Sequence, residues 1–131
     1  MSESILKVLK DGTKKWYLNG KLHKEDGPAV ERSNGAKEWY LNGKFHRENA
    51  PAIEYTDDID DIGIVIRDWF LNGKRHREDG PAIDDSDGIK CWYVEGREYD
   101  EKEYPNALRK YYRKLYRRGE ITKEEMFIKL I

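Results

Sequence analysis

The chain has 131 residues, of which 39% are charged and only 37% are hydrophobic, so a single globular core would be thin. The formal net charge of −1 gives no electrostatic reason to expect DNA, a membrane surface or an acidic substrate. The only cysteine, Cys91, excludes an intramolecular disulfide framework and is typical of a reducing compartment. No apolar run reaches the length of a membrane span and no signal-peptide core occurs, so we expect a soluble, cytoplasmic protein.

A 15-residue motif occurs three times, at residues 16–30, 39–53 and 69–83, and a shortened copy follows at residues 92–99. We call these copies units 1 to 4. Their tryptophans are separated by 23, 30 and 23 residues, and the long interval contains seven extra residues at positions 57–63. Repetition at a fixed period is typical of stacked copies of one small unit that cannot bury its apolar face alone.

Each unit contains short turn sequences that predict β-hairpins. Asn-Gly follows the aromatic pair in units 1 to 3, and Asp-Gly or Asn-Gly precedes the tryptophan by five residues in units 1, 2 and 4. Both dipeptides tolerate the positive φ angles of tight hairpin turns. The runs between them are short and aromatic, as strands are. Residues 1–99 therefore predict an antiparallel β-meander with about three strands per unit.

A third turn, the corner, precedes a proline in each complete unit, and proline marks a strand start or a sheet edge. Units 1 and 3 read Asp-Gly-Pro there, whereas unit 2 reads Asn49-Ala50-Pro51. Because unit 2 lacks the glycine, we expect its corner to take a different backbone shape. Unit 4 has Glu95 in place of asparagine and Tyr99 in place of histidine, which predicts a terminal cap.

Side chains alternate between the two faces of a strand, so each aromatic pair places one ring on each face. The repeat therefore predicts a column of tryptophans on one face of the sheet. The other face should carry a second column, formed by Tyr17, Tyr40, Phe70 and Tyr93. One column should be core and the other partly exposed, and the sequence leaves open which is which.

The motif Trp-Tyr-x-Asn-Gly-x-x-His-Arg-x-Asp-Gly-Pro-Ala resembles the MORN-like β-hairpin repeats of bacterial and bacteriophage proteins. The 23-residue period, the aromatic pair and the turn glycines carry this resemblance, which covers residues 5–99. It implies an elongated β array used for protein or lipid contact, with no common catalytic residues.

The periodicity changes after residue 99, and residues 100–131 predict a C-terminal α-helical hairpin. The first helix should begin near Pro105 and end at Gly119, with an apolar stripe formed by Leu108, Tyr111, Tyr112 and Leu115. The second should begin at Thr122, whose capping box is completed by Glu125. Ile121 should pack on Met126, and the apolar side should comprise Met126, Phe127 and Leu130. The predicted fold class is α+β, with the hairpin covering an aromatic column of the sheet.

The first predicted helix carries six basic residues on the face opposite its apolar stripe: Arg109, Lys110, Arg113, Lys114, Arg117 and Arg118. Residues 1–99 have a net charge of −4 and residues 100–131 a net charge of +3. This face could bind an acidic partner or a phosphate backbone, or pair with the acidic sheet. Nucleic-acid binding is the less favoured choice, since the negative body weakens steering toward phosphates. A membrane is disfavoured because docking uses the apolar stripe.

Two further sets of residues, three histidines and four aspartates, are of the types that bind metal ions. His23, His46 and His76 recur once per unit, so their imidazoles should be spaced along the array rather than gathered around one ion. We expect each to make a structural hydrogen bond to a turn carboxylate or carbonyl, and we predict no metal or cofactor. The seven extra residues carry Asp57, Asp58, Asp60 and Asp61. They lack EF-hand spacing, but they could take a cation, mimic phosphates or enter a partner's basic groove. A solvated loop is the equal alternative.

The sequence contains no Ser-His-Asp order, phosphate-binding loop, dinucleotide turn or zinc spacing, and Cys91 has the surroundings of an inert thiol. We therefore predict a non-enzymatic module that holds or inhibits a larger protein, as a monomer or an edge-paired homodimer. The expected partner-binding residues are the acidic insertion, the basic helix face and whichever members of the Tyr/Phe column remain exposed.

The resemblance suggests a phage-encoded inhibitor of a bacterial defence complex that acts in the cytoplasm of the host cell. A bacterial immunity or antitoxin protein is one alternative. The other is a nucleic-acid or nucleoprotein-groove binder that acts through the basic helix.

Overall fold

The computed structural model describes residues 3–57 and 63–131, which form fourteen β-strands followed by two helices. The strands are β1 (Ile5–Val8), β2 (Lys14–Leu18), β3 (Lys21–Leu22), β4 (Val30–Glu31), β5 (Lys37–Glu38), β6 (Tyr40–Leu41), β7 (Lys44–Phe45), β8 (Ile53–Asp57), β9 (Ile64–Asp68), β10 (Phe70–Leu71), β11 (Lys74–Arg75), β12 (Ile83–Asp85), β13 (Lys90–Val94) and β14 (Arg97–Tyr99). The helices are α1 (Tyr104–Arg117) and α2 (Lys123–Leu130). The α+β fold class and the order of its two parts are confirmed.

Most of the strands form one antiparallel sheet in the order β1-β2-β4-β5-β8-β9-β12-β13-β14, and β3 pairs with β2. Units 2 and 3 place their remaining strands in two separate hairpins, β6–β7 and β10–β11. The break falls at the tryptophan, where Trp39 donates its N–H to Ala52 O at 2.7 Å and Trp69 donates to Ala82 O at 2.7 Å. The chain therefore leaves the main sheet after each of these tryptophans.

The hairpins that follow the tryptophans stack on one another. We call β2–β3, β6–β7, β10–β11 and β13–β14 the hairpin row. Each turn glycine donates its N–H to a carbonyl of the preceding hairpin at 2.8 Å, in the pairs Gly43 to Leu22, Gly73 to Phe45 and Gly96 to Arg75. The main sheet and the hairpin row thus propagate the same repeat side by side.

The turn residues adopt the left-handed backbone that the sequence predicts. In the hairpin row, Asn42 has φ +51° and Gly43 has φ +79°, as a two-residue hairpin turn with two positive φ angles requires. The corner of unit 2 also differs as expected, because Asn49 has φ +60°. Asn tolerates this region better than most residues because its side chain is short and polar.

The core is thin and consists mainly of small residues at the junctions between units. Ala29, Ala52 and Ala82 each have 0% exposure, and Val30 has 1%. A second cluster lies at the C-terminal end, where Val94 packs with Tyr104 and Ala107 of α1. Neither aromatic column is fully buried or fully exposed, since the rings of both columns are half-buried.

The extra residues between units 2 and 3 lengthen a hairpin as well as a loop. β8 and β9 pair over five residues, from Ile53 opposite Asp68 to Asp57 opposite Ile64. Asp58, Asp60 and Asp61 lie outside the described residues.

α1 and α2 begin and end close to the predicted positions. Pro105 lies in the first turn of α1, and Gly119 follows its end with φ +73°. Thr122 and Glu125 form the predicted capping box of α2. The prediction for Phe127 is wrong, because this ring is 54% exposed while Met126 and Leu130 are half-buried. The short α2 contacts α1 and places only part of its apolar surface there.

The first edge of the main sheet is open. Ile5, Leu6 and Val8 of β1 are exposed apolar residues, and among the described strands β1 pairs with β2 alone. Pairing of two chains through this edge stays a prediction.

Neither of the helices in the described ranges has the length and hydropathy to cross a membrane.

Candidate functional site

The three histidines join each unit to the next one. The Nδ1 atoms of His23, His46 and His76 accept hydrogen bonds from the backbone N–H groups of Asn42 (2.9 Å), Asn72 (3.0 Å) and Glu95 (3.0 Å). The recurring structural hydrogen bond is therefore to a turn N–H, whereas the predicted bond to a turn carboxylate is present at His76, whose Nε2 lies 3.2 Å from Glu78 Oε2. Because Nδ1 accepts, the proton of a neutral ring lies on Nε2.

A basic side chain covers the tryptophan of each complete unit. Lys24 Nζ lies 4.5 Å from the centre of the Trp16 ring, and the guanidinium carbons of Arg47 and Arg77 lie 3.8 Å from the rings of Trp39 and Trp69. Each arginine also donates to the carbonyl of the corner proline four residues later, at 3.2 Å for Arg47 and 3.0 Å for Arg77. These contacts hold the corner loop against the indole, which stays half-buried.

Two grooves of equivalent construction run between successive units on the tryptophan face. Groove 1 lies between the corner of unit 1 (residues 24–28) and the side chains of Trp39, Leu41 and His46, and encloses about 720 Å³. Groove 2 lies between the corner of unit 2 (residues 47–49) and Trp69, Leu71 and His76, and encloses about 450 Å³. Each groove thus has a charged wall from one corner and an aromatic floor from the next unit.

The third equivalent position, which we call groove 3, is filled by α1. Its floor consists of Trp92, Val94 and Tyr99, which pack against Tyr104, Ala107, Leu108 and Tyr111. α1 therefore covers Trp92, so the prediction that the helical hairpin covers an aromatic column is confirmed for one tryptophan of the four. The other three indoles are covered by Lys24, Arg47 and Arg77 instead.

Tyrosine hydroxyls attach α1 to the corner of unit 3. The Tyr104 hydroxyl donates to the Arg77 carbonyl and accepts the Gly80 N–H at 3.3 Å. The Tyr112 hydroxyl donates to Glu78 Oε1 at 2.8 Å. These contacts define what the corner of a unit binds when its groove is occupied.

Lysines and ring packing complete the occupied groove. Lys129 Nζ lies 3.4 Å from Glu78 Oε1, and Lys114 Nζ lies 2.9 Å from Glu95 Oε1. The Tyr111 ring lies 4.7 Å from the His76 ring. Two ion pairs and one contact between aromatic rings therefore add to the tyrosine hydrogen bonds that hold the helices in groove 3.

The ionisation of these groups follows from their contacts. The hydrogen bond from His76 Nε2, together with the one from Tyr112 and the positive charge of Lys129, lowers the pKa of Glu78 to about 2 although burial opposes the shift. Burial raises the pKa of Tyr104 and of Tyr111 to about 12, and it raises the pKa of Tyr112 as well. Glu78 is therefore a carboxylate, and Tyr104 and Tyr112 donate their hydroxyl protons across the neutral pH range.

The basic face of α1 points into solvent. Arg109, Lys110, Arg113, Arg117 and Arg118 are exposed, whereas Lys114 is half-buried beside Glu95. Arg109 contacts only its helix neighbour Asn106, at 2.7 Å, among its hydrogen bonds within the described chain. The predicted binding face is thus accessible, except for Lys114, which holds α1 to the sheet.

The Tyr/Phe column forms a half-buried row on the hairpin row. Tyr40, Phe45 and Phe70 stack with ring centres 4.4 and 5.1 Å apart. Arg75 then lies 5.3 Å from the Phe70 ring and 5.7 Å from the Tyr93 ring. Tyr17 is half-buried as well. Because each of these rings packs on its neighbours, their role in binding a partner stays a prediction.

The structure does not bring the remaining predicted site residues together into a site within the described part of the chain. Asp57 ends β8, and the other three aspartates of the insertion lie outside the described ranges. Cys91 is half-buried in β13, and burial raises the pKa of its thiol. In residues 3–57 and 63–131, no group of three or more His, Cys, Asp or Glu side chains is placed to hold a metal ion.

The groove residues are the functional candidates that the sequence analysis missed. Two features of the sequence indicate them: the corner carboxylates Glu25, Glu48 and Glu78 recur two residues after each histidine, and Tyr99 replaces histidine in unit 4. That replacement marks the groove that α1 fills.

Comparison with known proteins finds no matching family model, curated protein or solved structure.

Proposed function

We propose that the chain is a non-enzymatic binding module that holds or inhibits a larger protein through the open tryptophan face of its repeats. The observation that carries this proposal is that grooves 1 and 2 are open while the equivalent groove 3 is filled by α1. Half-buried tryptophan and arginine side chains line both open grooves, and these residue types are the usual anchors of protein interfaces.

Rigidity of the face supports the same function. The histidine bonds fix the spacing of the units, and the arginines hold the corners on the indoles. A surface that is already ordered loses little conformational entropy when it binds.

We also propose that the array belongs with the MORN-like repeats, and that inhibition of a bacterial defence complex in the host cytoplasm is one specific form of its action. A bacterial immunity or antitoxin role is another.

Affinity capture from a bacterial lysate tests the binding surface. We expect Leu41→Glu and Leu71→Glu, which place a charge on the apolar floors of grooves 1 and 2, to lose the partner that the parent chain captures. The matched variants are Arg109/Arg113/Arg117→Ser on the basic face and Asp57/Asp58/Asp60/Asp61→Ser in the insertion. The groove assignment fails if the two groove variants recover the same partner as the parent.

A second candidate function rests on the exposed basic face of α1, where five cationic side chains lie free of the sheet. Such a face can neutralise phosphates, so a nucleic-acid or nucleoprotein groove is the alternative partner. Salt titration separates the two candidates. Phosphate binding weakens with a log–log slope of roughly −0.7 to −0.9 per phosphate neutralised, whereas an interface anchored by aromatic rings depends far less on salt.

A further inference from the structure

Resting on the proposed function, we propose that each open groove binds an amphipathic helix of a partner protein that presents tyrosine hydroxyls, as α1 does in groove 3. The chain holds its own example of the occupant. The inference follows because grooves 1, 2 and 3 are built from equivalent residues of successive units.

The polar backbone groups that α1 uses recur in the open grooves. In groove 3, one tyrosine hydroxyl bridges the Arg77 carbonyl and the Gly80 N–H. The N–H groups at the same motif position belong to Gly27 in unit 1 and to Ala50 in unit 2, where Asn49 gives the corner a different backbone with φ +60°. Both residues are half-buried, and the described part of the chain supplies no acceptor to either N–H. A half-buried donor without a protein acceptor is a place where a ligand hydroxyl gains a hydrogen bond.

The corner carboxylates show the difference between an occupied and an open groove. Glu78 side-chain exposure is 31%, and the carboxylate binds Tyr112 and Lys129. The equivalent side chains of Glu25 and Glu48 are 83% and 78% exposed. They lie near the histidine of their own unit, at 3.5 and 3.9 Å, and leave acceptor oxygens free for a tyrosine hydroxyl of the partner helix.

The apolar floors match as well. Trp92 and Val94 under α1 correspond to Trp39 and Leu41 in groove 1 and to Trp69 and Leu71 in groove 2. The two open floors differ from groove 3 in that Arg47 and Arg77 lie 3.8 Å from their indoles, so a helix there would pack on the leucine and on the arginine-covered ring.

The spacing of the units also suits helices. Each unit adds two strands to the hairpin row, and two strands span about 9.6 Å. Packed helices lie about 8–10 Å apart. α1 extends along the strands, since Tyr104 lies at the corner of unit 3 and Lys114 lies at the turn of unit 4. Helices in neighbouring grooves would thus lie side by side, and the one in groove 2 would contact Tyr112 and Lys129.

The probe for this proposal is a stapled peptide with the sequence of residues 102–119, closed between positions 109 and 113 on the exposed face. It is titrated into the full-length chain while the four indole N–H signals are followed by NMR. We expect the signals of Trp39 and Trp69 to shift, because these rings floor the open grooves. Trp92 should not move, since α1 already covers it.

Two matched controls separate groove binding from attraction between a basic peptide and acidic side chains. A peptide with Tyr104→Phe and Tyr112→Phe keeps its charge and should bind roughly tenfold more weakly, because it loses hydrogen bonds to a charged group and to the backbone. Glu25→Gln with Glu48→Gln in the chain should weaken the parent peptide by a similar factor. Glu3→Gln, an exposed carboxylate outside the grooves, should not.

The proposal is overturned if the Trp39 and Trp69 signals stay in place, if only Trp92 shifts, or if the phenylalanine peptide binds as tightly as the parent peptide. These failures are distinguishable from failure of the proposed function. If the peptide does not bind but Leu41→Glu and Leu71→Glu still abolish capture of the partner, the chain is a protein-binding module whose partner is not a tyrosine-bearing helix.

Discussion

His76 makes three contacts, which connect two units and α1. Its Nδ1 accepts the Glu95 N–H at 3.0 Å, its Nε2 lies 3.2 Å from Glu78 Oε2, and its ring packs 4.7 Å from Tyr111. His46 makes the first kind of contact at an exposed turn, and its Nε2 lies 3.9 Å from Glu48. His76 therefore contributes more to the stability of the fold than His46, although the two residues occupy the same position in the repeat.

We expect His76→Leu to lower the free energy of unfolding by about 2 kcal/mol, because it leaves a partly buried turn N–H without its acceptor and removes one of the groups that bind the Glu78 carboxylate. His46→Leu should lower the free energy of unfolding by about 1 kcal/mol or less, since water can accept the hydrogen bond that the Asn72 N–H donates to His46. Urea unfolding followed by tryptophan fluorescence measures both. Equal losses would contradict the structural assignment of His76.

The depressed pKa of Glu78 makes the attachment of α1 sensitive to acid. Its folded pKa is about 2, below the ordinary value of 4.5. The carboxylate therefore contributes stability that is fully present above pH 4.5 and is lost as the pH falls toward 2. We expect the difference in unfolding free energy between the parent and Glu78→Gln to shrink from pH 6 to pH 3. The exposed Glu124→Gln is the control, and a difference independent of pH would contradict the assignment.

Glu95 shows how one residue departs from the repeat to serve the helix. It has φ +49° at a turn position where the earlier hairpins use asparagine. Glutamate is disfavoured in this region, but its carboxylate accepts Lys114 Nζ at 2.9 Å. The altered turn of unit 4 thus belongs to the attachment of α1.

At the scale of elements, the two helices differ in how firmly they are held. α1 buries Tyr104, Ala107 and Tyr112 against the sheet, whereas α2 has no buried residue. Lys129 joins α2 to Glu78 at the corner of unit 3, and its Nζ lies 5.0 Å from the ring of Tyr112 in α1. An isolated helix of this length is marginal in water, so its capping box and its contact with α1 decide whether it forms.

We expect Thr122→Ala to lower the stability of α2 by about 1 kcal/mol, because the capping box loses its side-chain acceptor. Hydrogen exchange should accelerate at residues 123–130 and remain unchanged in α1. Thr122→Ser keeps the acceptor and should behave as the parent chain. Faster exchange throughout α1 would show instead that the two helices unfold together.

At the scale of the whole molecule, the array is a chain of nearest-neighbour contacts. Each unit bonds through its histidine and its turn glycine to the unit beside it, and unit 4 is completed by α1. Stability in such an array is close to a sum of unit terms and interface terms. Loss of the helices should therefore affect the last unit most.

Truncation after residue 100 should uncover Trp92, Val94 and Tyr99, lower the urea midpoint and increase binding of an apolar dye, because groove 3 loses its cover. Hydrogen-exchange protection in units 1 and 2 should persist. Truncation after Gly119 removes α2 alone and is the matched control, with a smaller change expected in each measurement. Cooperative unfolding of the whole array after the first truncation would contradict the nearest-neighbour description.

The sequence by itself determined the repeat, its turns and the helical hairpin. These features are local: Asn-Gly and Asp-Gly dictate left-handed turns, and Thr122 with Glu125 dictates a helix start within four residues. The rule that side chains alternate also placed Trp16 and Tyr17 on opposite faces. It could not rank the two columns, because the exposure of a ring depends on which distant residues cover it.

The tertiary structure alone decided which surface is open. Lys24, Arg47 and Arg77 cover three indoles and α1 covers the fourth, and these choices depend on packing between residues that lie in different elements. The site follows from the same cause. A groove between units exists only when two copies are stacked, so its charged wall and its aromatic floor come from different units, and no single copy of the motif contains it.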